Sequence, residues 1–205
     1  MGIRAEQKAH QRQRLLEVSL ELFVHRGYHG TTVRDVTSKA QVSVGLLFHY
    51  FSTKQAILEE LAGVAHTGVA AALDLLVAPL QPLQIFAQIA EMSVQYLHEP
   101  QAAHLFLLAN QILTLDSIPE SVKQILSSTT PLEASIPVIS KGQLLGDIKS
   151  GEPLSLSLAF WGALQGIAEM CAWFPRAPIP DYQCIVDILR VKPIPGDDEA
   201  GNRRA

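Results

Sequence analysis

Apolar residues in the first fifty positions fall three and four apart. Between Glu6 and His25 the positions Leu15, Leu16, Leu20, Leu22 and Phe23, with Ser19 among them, form one stripe, which predicts an amphipathic helix ending at Gly27. Thr31 and Thr32 offer hydroxyl caps to a second, short helix over VRDVTSKA, with Val33 and Val36 on one side. After Gln41 and Val42, Ser43 can cap a third helix, VGLLFHYF, in which Val44, Leu47 and Phe51 keep helical spacing.

Ser52 or Thr53 then opens a long helix, KQAILEELAGVAHTGVAAALDLLV, closed by Pro79 and Pro82. Further helices are predicted over 83–98 and 101–115. The stretch 120–144 has helical character but contains Pro131 and Pro137, so a broken helix is expected there. GQLLGDIKSGEP reads as a loop. LSLSLAFWGALQGIAEMCAWF reads as a helix apolar nearly all round, and DYQCIVDILRV as the last helix. Neither a repeat nor a strand run emerges, so the fold class is all-α. The expected division is a three-helix head over 1–54, a larger helical body over 55–192 and a disordered tail over 193–205.

Charge sharpens this division. The 205 residues carry a net −4, yet residues 1–54 hold eight basic and four acidic groups, a net +4, leaving −8 for the remainder. A basic head on an acidic body suits a protein one end of which meets a polyanion. At 48% apolar and 18% charged, the chain has more apolar surface than a small monomer readily hides, which implies a partner surface. Two cysteines, Cys171 and Cys184, cannot build a disulfide framework and read as reduced thiols. The charged N-terminus does not read as a signal peptide. The most apolar stretches carry His66 and Asp74, or Gln165 and Glu169, so the expectation is a cytoplasmic protein that spans no membrane.

Two short helices joined by a three-residue connection, preceded by a capped helix, follow the helix-turn-helix plan, whose second helix fits the DNA major groove. Phe23, Gly27, Tyr28, Thr31 and Thr32, together with Phe48, His49, Tyr50, Phe51 and Lys54, give residues 11–62 a pattern that resembles the tetracycline-repressor (TetR) family of regulators. The resemblance implies a set of DNA-contacting positions. Thr32 and Arg34 open the first helix of the motif and reach phosphate, or for Arg34 a guanine edge. Ser43, Val44, Gly45 and Leu46 form the leading turn that faces bases. Phe48, His49, Tyr50 and Lys54 match positions that touch the sugar-phosphate strand. This chain departs from the family at Gln41, where glycine is usual, and at Phe48, where tyrosine is. Val44 and Leu46 replace longer polar readers, leaving thymine methyls, Ser43 and Arg34 to carry base readout.

The resemblance also implies that the body binds a small molecule and dimerises. Apolar helices holding isolated polar groups suggest a pocket from Met92, Tyr96, His104, Phe106, Asn110 and Trp161, suited to an apolar or aromatic effector. Leu158, Trp161, Leu164, Gln165 and Ala168, with Gly162 and Gly166 permitting close approach, suggest that the helix of 154–173 pairs with that of 181–191 and with their copies in a second chain. His25 and His29 straddle the helix end at Gly27, and neither a metal-binding cluster, a phosphate-cradling loop nor a nucleophile elbow is present in the sequence, so no metal, cofactor or enzymatic chemistry is expected. The resulting expectation is a repressor that binds a palindromic operator as a homodimer and is released by an effector. The alternative is a helical ligand-binding or protein-interaction module whose head no longer reads DNA.

Overall fold

The computed structural model describes residues 3–99, 101–126 and 130–191; the tail expected over 193–205 lies outside them. Eleven helices account for the described architecture: α1 (Ile3–Arg26), α2 (Val33–Ala40), α3 (Val44–Tyr50), α4 (Lys54–Leu76), α5 (Pro82–Tyr96), α6 (Ala102–Thr114), α7 (Glu120–Leu126), α8 (Pro131–Ala134), α9 (Ile136–Leu145), α10 (Pro153–Trp173) and α11 (Gln183–Val186). Among the described residues the only β pairing is an isolated antiparallel bridge between Ile148 and Arg190.

Prolines shape the body. Pro82 does not close the long helix but occupies the first turn of α5, where its missing N–H costs nothing. Pro131 and Pro137 likewise sit at the starts of α8 and α9, which is how 120–144 divides into three pieces. The final helix is shorter than the sequence suggests: after Val186 the chain tightens through turns and Lys149 N–H donates to Leu189 O at 2.9 Å, so edge pairing replaces helix.

Two main cores form. The first joins Leu15, Leu20 and Phe23 of α1, Val36, Leu47 and Phe51 of the motif, and Ile57, Leu58 and Leu61 of α4 to Leu105, Leu108 and Ile112 of α6 and Val122 and Leu126 of α7. Each such side chain, fully buried, contributes about 1.5–3 kcal/mol. The head therefore shares its core with the body, and position 54 is a helix start, not a packing boundary. The second core gathers Ala72 and Leu76 of α4, Phe86 and Ile89 of α5, Ile139, Phe160, Leu164, Ile185 and Leu189. Phe86 and Phe160 meet edge to face at 5.0 Å. With 23 residues, α4 runs about 34 Å and enters both cores.

By length and composition α4 and α10 could each cross a bilayer, but here each contributes one side to these cores. On α10 the sides differ. Leu164 (3% exposed) and Ala168 are buried and so do not form the partner-facing stripe expected for them, whereas Leu154, Leu158 (61%), Met170 and Trp173 are exposed. Gly162 and Gly166 have open space where a side chain would be.

Candidate nucleic-acid interface

The head is built by local capping. Gly27, at φ +76°, ends α1 in the left-handed conformation. Thr31 is buried, and its hydroxyl donates to Gly27 O (2.9 Å) and Leu22 O (3.2 Å), tying the following loop to the end of α1. Thr32 is the N-cap of α2 in a reciprocal box: its side chain accepts from Asp35 N–H while its own N–H donates to the Asp35 carboxylate at 2.8 Å. The Thr32 hydroxyl also donates to that carboxylate at 2.5 Å, and this bond first, with the Thr32 N–H second, holds the Asp35 carboxyl below its ordinary range.

At the other end of α2, Gln41 adopts φ 57°, ψ 44°, the left-handed geometry that glycine would accept without strain. Val42 N–H donates back to Thr37 O at 3.0 Å, and Ser43 Oγ accepts from Leu46 N–H at 3.1 Å to start α3. The connection is thus residues 41–43. Leu47 and Phe51 anchor α3 in the first core, with Tyr50 partly buried against it. Val44, Gly45, Phe48 and His49 remain exposed, two pairs four residues apart on one face, and Leu46 is half-buried. An added Cβ at Gly45 would meet only Ser43 Oγ, at 3.9 Å, so the fold does not require glycine there.

The basic charge is less available than its count implies. Arg12 pairs with Glu60 and lies over the Phe51 ring at 4.9 Å. Lys39 pairs with Glu21, holding that carboxyl low, and Arg26 stands 3.5 Å from Asp35. Lys54 has a task that the sequence did not reveal. Its Nζ donates to Tyr28 O (2.7 Å) and Thr31 O (2.8 Å) and lies 4.1 Å from the centre of the Tyr28 ring, clamping the α1–α2 loop to the start of α4. Burial lowers the Lys54 pKa and raises that of Tyr28. Arg34 and His49 are exposed and, among the described residues, have no ion-pair partner.

The residues expected to line one pocket are dispersed. Trp161 packs in the second core and its Nε1–H donates to the buried Ser135 Oγ at 2.9 Å, a structural pin. Met92 packs beside the same core. Tyr96 and Phe106 approach each other, ring centres 6.4 Å apart, near a small third cluster. His104 faces His25 of α1 at 5.4 Å, and Asn110 O accepts from the Thr114 hydroxyl. An apolar groove of about 310 Å³ opens instead between α10 and the following loop, lined by Ala163, Gly166, Ile167, Met170, Cys171 and Pro178. Burial in these surroundings raises the Cys171 thiol pKa. Among the described residues no group of three His, Cys, Asp or Glu side chains is placed to hold a metal.

Three polar contacts that the sequence reading missed tie α1, the loop after it and the start of α4 to α6, α7 and the loop between them. His29 Nε2–H donates to Ser117 O at 2.7 Å, Gln111 donates to Val24 O, and Gln55 donates to the Ser121 hydroxyl. On α4, His66 Nδ1 is buried without a hydrogen-bond partner. An isolated polar residue in an apolar helix was the available signal for both Gln111 and His66.

Residues 15–61 match the family model of bacterial regulatory proteins, tetR family. The head of this chain belongs to the TetR family. Within it lie the caps, the turn and the exposed face described above. The chain is similar to the transcriptional repressor KstR2 of Rhodococcus jostii, 37% identical over 54 residues that make up 26% of each chain, so the match spans about a quarter of that relative's length. The fold extends the likeness beyond the TetR head. The solved structure of the ketosteroid transcriptional regulator KstR2 of Mycobacterium tuberculosis superposes over 88% of this chain and 95% of its own, with TM-score 0.69 at 17% identity. That of AibR, solved with isovaleryl coenzyme A and operator DNA, covers 86% and 94% with TM-score 0.63 at 16% identity. The family and these relatives are regulators, not enzymes.

Proposed function

We propose that this protein is a ligand-responsive transcriptional regulator, a repressor that binds a palindromic operator as a homodimer and releases it when a small molecule occupies the body. The observation that carries the reading is the side-chain-capped helix-turn-helix, in which Leu47 and Phe51 anchor α3 while Val44, Gly45, Phe48 and His49 face outward. That geometry presents one helix face to a major groove. Arg34 and His49 supply phosphate contacts, and Lys54 positions the motif from behind. The exposed stripe Leu154, Leu158, Gly162 and Trp173 of α10 is the face offered to the second subunit. Such a protein works in the cytoplasm, where the chromosome is.

Release requires that effector binding move the heads. Two routes are available: α4, which enters both cores, and the direct contacts of α6 and α7 with the head. The unpartnered His66 Nδ1, on α4 between the residues of the two cores, supplies a polar anchor for an otherwise apolar effector. The engagement of Arg12, Arg26, Lys39 and Lys54 within the chain favours the second reading, a helical module whose head no longer reads DNA. A mobility-shift titration with the duplex upstream of the protein's own gene, at several salt concentrations, separates the two. Specific binding with a log–log salt slope of about −3.6, from Arg34 and His49 of two subunits at about 0.9 per contact, is expected. Absence of specific binding at low salt would overturn the regulator reading.

A further inference from the structure

The head buries its large apolar side chains with two exceptions. Among the described side chains from residue 5 to residue 62, only Val44 (41% exposed) and Phe48 (48%) are large, apolar and exposed. They lie one helical turn apart on α3, on the face that carries Gly45 and His49. No long polar reader stands beside them on that helix. The Ser43 oxygen is occupied as the α3 cap, Thr32 is engaged with Asp35, and Leu46 is half-buried. Gly45, whose side-chain space is empty, leaves the backbone between the two apolar groups free to come close to a flat surface.

In the major groove only one base-pair feature complements an aliphatic or aromatic side chain, the C5 methyl of thymine. Cytosine presents an amino donor, and the purines present acceptors and, on adenine, a donor that Val44 and Phe48 would desolvate without pairing. On the premise that the head binds DNA, we infer that it reads its half-sites chiefly through thymine methyl groups, with Val44 and Phe48 as the specificity-determining side chains. Arg34 and His49 supply affinity beside them. A methyl read by apolar contact alone does not report which pyrimidine carries it, so 5-methylcytosine fits the same contacts.

The test begins with selection of binding sites from a random duplex pool by the full-length protein. Enriched half-sites should hold thymine opposite α3. Each contacted thymine is then replaced by deoxyuridine, which deletes the methyl and keeps every hydrogen-bonding group. Affinity should fall about fourfold per contacted methyl, the effect of one buried methylene-sized group. At the same positions a 5-methylcytosine·guanine pair should bind more tightly than cytosine·guanine. In Val44→Ala and Phe48→Ala proteins, each of which removes an exposed side chain and leaves the core intact, the uracil penalty should vanish at the position that each side chain reads. A penalty that is absent at every thymine, or unchanged in both variants, would overturn the inference while leaving DNA binding in place. Failure of any duplex to enrich would instead overturn the regulator reading, and this inference with it.

Discussion

Side-chain caps start the helices of the head more consistently than those of the body. In the head, Thr32, Ser43 and Thr53 each cap the following helix with a side-chain oxygen, so the starts of α2, α3 and α4 are each set within three residues of chain. In the body Thr130 and Glu152 cap α8 and α10 in the same way, but α5 and α9 begin on a proline turn without a side-chain cap, and α6 and α11 begin with neither. Their limits come from packing. The ends also differ in finish: among the described side chains the head leaves two large apolar ones exposed, both on α3, while the body leaves Leu144, Leu145, Leu154, Leu158, Met170, Trp173 and Phe174 exposed. The difference teaches that the head completes its burial in the core it shares with α6 and α7, whereas the far end of the body leaves an apolar face uncovered.

The largest expected effect tests that contrast on α10. Leu164→Glu places a carboxylate in the second core and should cost about 4 kcal/mol or more, giving unfolded or aggregated protein. Leu158→Glu, on the exposed side, should leave the circular dichroism spectrum and thermal midpoint of the protomer nearly unchanged while converting dimer to monomer in sedimentation. A Leu158→Glu protein that remains dimeric at micromolar concentration would place the subunit interface elsewhere.

Next in size is Lys54. Its ammonium holds two backbone carbonyls of the α1–α2 loop, and charge-assisted bonds of this kind contribute about 1.5–3 kcal/mol before partial solvent exposure reduces them. Lys54→Ala should therefore lose about 2 kcal/mol in urea unfolding and weaken operator binding through the displaced motif. Weakened binding at unchanged stability would show that Lys54 is a phosphate contact alone.

Lys54 also marks where sequence reasoning stops. A cap is legible because hydroxyl, N–H and helix start lie within three residues, and the α2 and α3 boundaries follow from Thr32, Ser43 and the spacing of Val36, Leu47 and Phe51. The partners of Lys54, Tyr28 O and Thr31 O, lie 26 and 23 positions away. Those of Trp161 and His29 lie 26 and 88 positions away. Nothing in local pattern encodes such pairings. Trp161, aromatic with one polar atom, satisfies the description of a pocket residue and of a core pin equally well. Only the position of Ser135 decides between them. Likewise the all-round apolarity of α10 announces a buried helix, but which side is buried depends on how α6 and α8 pack on it.

A smaller effect tests the capping contrast directly. Thr32→Ala removes the side-chain oxygen that starts α2 and should cost about 1 kcal/mol. Gln81→Ala, at the uncapped start of α5, should change stability by no more than a few tenths, because the Pro82 turn is unaltered. Equal losses for both substitutions, measured by the urea midpoint at constant slope, would erase the distinction between the two ends.

The smallest expected effect lies at the joint between them. His104 of α6 faces His25 of α1, with Glu21 nearby and itself paired to Lys39. Burial lowers the His104 pKa, the His25 charge lowers it further, and Glu21 opposes both. Below the ordinary histidine value of about 6.5 the unfolded chain thus binds more protons at this site than the folded one. The contribution of His104 to stability is complete above that pH, falls on acidification, and levels off once the pH lies below the folded-state value. Thermal midpoints at pH 7.5 and 5.5 should therefore draw together in His104→Gln relative to the parent, since the variant has no proton to bind there. The other titrating groups are common to both proteins and cancel in the comparison. Parallel loss in the two proteins would mean that neutrality of His104 contributes nothing to the α1–α6 joint, leaving its apolar contacts and the Gln111 and His29 bonds to hold head and body together.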